Sequence, residues 1–139
     1  MDDEQLLRAS ARERALYGEL GAVYRDLAGA LAVREAAADP AWLASRNDHA
    51  EQVTHELREI GAVLAPARLD GAPVPPAVQD LWRESATLAA DAARENARLA
   101  DLALERRADI GMRLARLGAG RRALARYRPA DPTTPGRRA

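Results

Sequence analysis

The sequence predicts an all-α protein, and three observations predict it. The stretch from Pro76 to about Arg128 has no internal proline and carries apolar residues at Val78, Leu81, Leu88, Ala92, Leu99, Leu102, Ile110, Leu114, Leu117 and Leu124. With Ser85, Asn96 and Arg106 filling the gaps, most steps are three or four residues, the a/d spacing of a helix that packs along a seam. Of the 139 residues, 33 are alanine and 21 arginine, both strong helix formers. β-branched residues are few and form no alternating run of strand length. The expected architecture is an elongated antiparallel three-helix bundle or coiled coil with a long C-terminal helix. It forms one domain over residues 1–128, followed by a disordered tail over 129–139.

The first helix is expected over about residues 3–38. Asp2, Asp3 and Glu4 put negative charge on its first turn, where the helix dipole favours it. Glu4 and Arg8 form an i,i+4 pair. Its stripe is Leu6, Ala9, Leu16, Leu20, Val23 or Tyr24, Leu27 and Leu31. The stripe thins between Ala9 and Leu16, where Ser10, Arg12, Glu13 and Arg14 fall. Gly18, Gly21 and Gly29 each weaken a helix by about 1 kcal/mol relative to alanine, and they mark marginal stability more than close helix approach.

Asp39 and Pro40 break the chain and restart it, as N-cap and first helical residue. The second helix is expected over 40–65. Its stripe of Leu43, Arg46, Ala50, Val53, Leu57, Ile60 and Leu64 alternates steps of three and four. Arg46 on that seam is expected near an end, where its head reaches water, and Trp42 is expected to pack on the first helix. Residues 66–75 hold three prolines and the turn pair Asp70-Gly71, so this stretch reads as a loop. The third helix then covers 76–128, with Trp82 near the loop end of the second. Asn96 in its stripe is expected to be buried and to fix register.

The lengths do not match. At 1.5 Å per residue, a second helix of roughly 25 residues covers only half of a third helix of roughly 50. From about Asp101 onward the long helix is therefore under-covered, and Gly111, Gly118 and Gly120 lower its stability there. The expected partner-binding residues lie in this stretch: Ile110, Leu114, Leu117 and Leu124 as apolar anchors, Arg113 and Arg121 at the rim with Arg128, and Tyr127 at the end.

Composition bounds the function classes. There is no cysteine, which excludes disulfides and thiolate metal sites. The acidic N-terminus lacks the apolar segment of a secretory signal, and no run approaches 18 apolar residues, so the expected location is the cytoplasm. His49 and His55 are six apart on one helix, on different faces, unlike an i,i+4 metal pair. No Glu-x-x-His, phosphate loop or serine elbow occurs, and neither catalysis, a metal nor a cofactor is expected. Arg46 and Arg106 on seams are the sole hint of an enzyme acting on a polar anion. Net charge is zero but uneven: residues 110–139 hold eight arginines and one acid, Asp131. Helix-dipole complementarity accounts for such an end, and a nucleic-acid interface is the weaker alternative.

Several segments together resemble a known family. Leu27 to Glu35 followed by Ala-Ala-Ala-Asp39-Pro40-Ala-Trp42-Leu43 looks like a first helix, short acidic turn and second helix. Glu95-Asn96-Ala97-Arg98-Leu99 looks like an Asn-x-x-Leu stretch in a long helix. Leu114, Leu117 and Leu124 followed by Tyr127 look like an amphipathic run ending in a tyrosine. In this order of parts the chain resembles FlgN-type flagellar export chaperones. It departs from them after Asn96, where Ala97 and Arg98 replace a second Asn or Gly, and after Tyr127, where Arg-Pro-Ala replaces a close glycine. The resemblance implies a type III export chaperone that binds hook-associated flagellar proteins and delivers them to an export gate protein, with Tyr127 as the gate contact. A self-associating coiled coil, closing the same stripe in a homodimer, is the competing expectation.

Overall fold

The computed structural model describes residues 1–33 and 39–126. It is an all-α three-helix bundle: α1 spans Asp3–Ala32, α2 Pro40–Leu69 and α3 Pro76–Arg126. The chain divides into two units, Met1–Ala103 and a second that begins at Leu104.

Local chemistry sets the helix ends. Asp2 caps α1, its carboxylate accepting from the Gln5 amide at 2.8 Å, while the Gln5 side chain accepts from the Asp2 amide at 3.0 Å. This reciprocal box is legible as Asp-x-x-Gln in the sequence and adds to the favourable negative charge of that turn. Asp39 caps α2 by accepting from the Ala41 amide at 3.1 Å, with Pro40 in the first turn as expected.

Two expected ends are corrected. α1 stops at Ala32, with Val33 already extended. No basic residue closes its last turn, and Gly29 lowers helix stability just before it. The rest of the expected extension, residues 34–38, lies outside the described residues. α2 does not stop at Ala65 but continues through Pro66 to Leu69. Proline costs a helix interior one hydrogen bond and a steric clash. Contacts made by the extra turn offset that cost: Ala67 packs on a buried cluster, and Arg68 forms an ion pair and lies over Trp82. The Asp70 amide donates to the Pro66 carbonyl at 3.0 Å, and Gly71 follows at φ 64°, a left-handed position suited to glycine. The loop is thus 70–75, not 66–75.

Within the first unit the register follows from side-chain pairs. Contacts of α1 with α2 join Glu13 to Arg68, Arg12 to Glu56, Glu19 to His49 and Asp26 to Arg46, so the two helices run antiparallel. Ser10 meets Trp82, Arg14 pairs with Glu84 and Gly21 lies against Ala92, so α1 and the first part of α3 run parallel. A β-carbon at Gly21 would meet Ala92 at 3.8 Å, an ordinary contact, so crowding does not demand that glycine.

The core forms two clusters. One gathers Leu16, Leu20, Val23, Leu27, Ala50, Val53 and Ala92. The other joins Leu6, Leu64 and Val78, with Trp82 and Ala67 against it. Asn96, expected to be buried, is exposed, and Trp42 is 37% exposed and joins neither cluster. Asn96 therefore fixes no register from inside a seam. Arg46 is half-buried, with its guanidinium 3.6 Å from Asp26 on α1.

Candidate functional site

The thin part of the first helix's stripe is where the first unit hides its polar groups. Ser10 and Glu13 are buried there at helical spacing between Leu6 and Leu16. Arg68 donates to the two Glu13 carboxylate oxygens from its two terminal guanidinium nitrogens, in a bidentate pair. The same guanidinium lies 5.0 Å from the centroid of Trp82, whose indole N–H donates to Ser10 Oγ at 2.8 Å. Four side chains from three helices thus satisfy one another. Beside them a cleft of about 230 Å³ is lined by Tyr17, Trp82 and Ser85 among others, and the buried Ser85 hydroxyl has no hydrogen-bond partner among the described residues. The sequence signal for this cluster was two polar residues on seam positions of the first helix, with a tryptophan available to cap one of them.

The histidines are placed apart, as their spacing predicts. His49 contacts Glu19 at 2.6 Å and His55 contacts Glu59 at 3.1 Å. Among the described residues no group of three His, Cys, Asp or Glu is arranged to hold a metal ion. No helix is long and apolar enough, among those residues, to cross a membrane. A wider cleft of about 810 Å³ opens beside Leu6, Val63, Leu69 and Val74, with Asp3 and Asp70 at its edge.

The second unit has a different character. Among the described residues its large apolar side chains are all exposed: Leu104, Ile110, Met112, Leu114, Leu117 and Leu124 range from 55 to 71%. At roughly 100° per residue, Ile110, Leu114, Leu117 and Leu124 share one face of α3, whereas Leu104 and Met112 lie off it. Arg113 flanks that face. Arg121 does not, and this corrects its expected place at the rim. It follows Leu117 by four residues and precedes Leu124 by three, so it stands within the apolar face. Tyr127 and Arg128 lie outside the described residues.

Charge separates the units as well. Residues 1–103 hold 11 arginines and 18 acids, and residues 104–139 hold 10 arginines and 3 acids. Between Ile110 and Arg126 there are five arginines and no acid. Among the described residues none of these five makes a salt bridge. What the arrangement offers is an apolar helical face flanked and interrupted by cations, a surface for an amphipathic partner of negative charge.

Compared with protein-family models, curated proteins and solved structures, the chain matches none.

Proposed function

We propose that the protein is a flagellar type III export chaperone of the FlgN type, which receives an amphipathic helix of a hook-associated client on the exposed face of residues 104–126. The observation that carries the reading is the exposure of Ile110, Leu114, Leu117 and Leu124 on one face of a helix. A helix with an unpartnered apolar face fits helix-in-groove recognition. Its client would be a segment that is itself aggregation-prone until covered, which suits a chaperone's task. The order of helices, the short Asp39-Pro40 connection and the long third helix add the resemblance described above. An export gate protein is the second partner the resemblance implies, with Tyr127 as its contact.

The test is binding of a purified hook–filament junction protein to the full chain and to a variant carrying both Leu114→Asp and Leu117→Asp. Abolished binding with an unchanged melt of the first unit is the expected result. Equal binding by the variant moves the client to another surface, such as the cleft beside Leu69. Failure of the wild-type chain to bind any such protein removes the chaperone reading. A second reading, self-association, is favoured by the opposite charges of the two units. A chain that sediments as a dimer, and becomes monomeric on the same double substitution, would establish it.

A further inference from the structure

Arg121 sets a chemical requirement on whatever covers the second unit's apolar face. Its neighbours on that face, Leu117 and Leu124, are 60% and 71% exposed, so a helix seated on them also covers the position between them. Among the described residues Arg121 has no acidic partner, and the sequence holds no acid from Ile110 through Arg126 to provide one locally. Covering a guanidinium with a purely apolar surface strips its water and returns nothing. A carboxylate in the partner's own apolar stripe meets it with two parallel hydrogen bonds and opposite charge.

Resting on the docking reading above, we infer that the face Ile110–Leu114–Leu117–Arg121–Leu124 selects an amphipathic helix that carries one Asp or Glu within its apolar stripe, placed opposite Arg121. The arginine thereby acts as a register key. A partner slipped by one turn sets a leucine against the guanidinium and leaves its own carboxylate against Leu117 or Leu124. The specificity lies in this mismatch cost, as with a single polar residue on a coiled-coil seam. Arg113, Arg116, Arg122 and Arg126, off this face, steer an acidic partner without choosing its register.

The probes are synthetic three-heptad helices with leucine at a and d and neutral polar residues elsewhere, the central d position being Glu, Gln, Leu or Lys. Each is titrated, at a concentration where it is monomeric, against the full chain and against Arg121→Glu. The wild type is expected to bind the Glu peptide about tenfold more tightly than the Gln or Leu peptide and to bind the Lys peptide weakest. Arg121→Glu is expected to invert the order of Glu and Lys. Arg113→Glu, the control, lowers affinity for the Glu peptide without inverting that order. Tight binding with no preference at the central position, or an order unchanged by Arg121→Glu, overturns the role of Arg121 and leaves the docking face standing, the arginine then bending its head to water. Binding of none of the peptides overturns the docking face and this inference together.

Discussion

Val78, Ser85 and Ala92 are buried on the early part of α3, whereas Ile110, Leu114, Leu117 and Leu124 are each more than half exposed later in the same helix. Both sets recur at heptad-like spacing. The arginines divide in the same way. In the first unit every described arginine except Arg25 and Arg58 lies in a salt bridge, while the five from Arg113 to Arg126 make none among the described residues. A periodic stripe therefore specifies an amphipathic helix and does not say whether its face is covered. Cover is decided by what the rest of the chain brings to it, and here α1 and α2 bring it to residues 78–99.

The largest effect that would break this contrast is in the core. Leu64 is fully buried, and Leu64→Ala should destabilise the first unit by about 3 kcal/mol in urea unfolding, through lost transfer energy and the cavity left behind. Leu117→Ala should change that unfolding by less than about 0.5 kcal/mol, because its side chain is already in water. Comparable costs at the two positions would mean that the later face is covered in solution, by a second copy or otherwise.

Next in size is the buried ion pair. Arg68→Ala removes the partner of Glu13, whose side chain is 3% exposed, and should cost about 3 kcal/mol. Replacing both residues, Glu13→Leu with Arg68→Leu, should recover most of that loss, since an apolar pair leaves no charge stranded. Arg121→Ala in the free protein should be neutral in the same assay. The contrast between Arg68 and Arg121 then measures the difference between an arginine that holds the fold and one held for a partner.

How much of this was legible follows from the same residues. The helices that begin at Pro40 and Pro76 were readable because their apolar residues recur mostly in steps of three and four and their starts carry Asp39-Pro40 and Pro76. Pro66 misled, because a local rule about proline says nothing of Arg68 and Ala67, whose packing one turn later outweighs it. Ser10 and Glu13 read as a weak point because a hydropathy pattern values polar residues by solvation alone. Their partners, Trp82 and Arg68, are 72 and 55 residues away in sequence. Asn96 differs for the opposite reason: its seam position lies near the end of the covered stretch, where the side chain is exposed. The exposed face of 104–126 was foreseen by counting helix lengths. Arg121's place within it needed only a finer angular reading of the same sequence.

A smaller effect sharpens the polar cluster. Trp82→Phe deletes the indole donor and leaves the buried Ser10 hydroxyl without that bond, at an expected cost of about 1–2 kcal/mol. Ser10→Ala made together with it should cost less than the sum of the two single changes. Simple additivity in this double-mutant cycle would show that the indole and hydroxyl do not support each other.

The smallest expected change concerns the glycines of the later region. A β-carbon at Gly111 or Gly120 would meet nothing within 4 Å, and both positions lie off the face of Ile110, Leu114, Leu117 and Leu124. Gly111→Ala and Gly120→Ala should each favour the helix locally by about 1 kcal/mol, by narrowing the unfolded ensemble. The melt of the first unit should not move. Amide exchange across residues 104–126 should slow by about fivefold per substitution, and the affinity for a helical partner should rise because less ordering remains to be done on binding. Slower exchange with unchanged affinity would mean that the partner binds without needing the whole segment helical. Unchanged exchange and affinity would mean that the segment is fully formed before any partner arrives. The two regions would then differ in surface chemistry alone, and the unpaired arginines, not helix stability, would set the strength of binding.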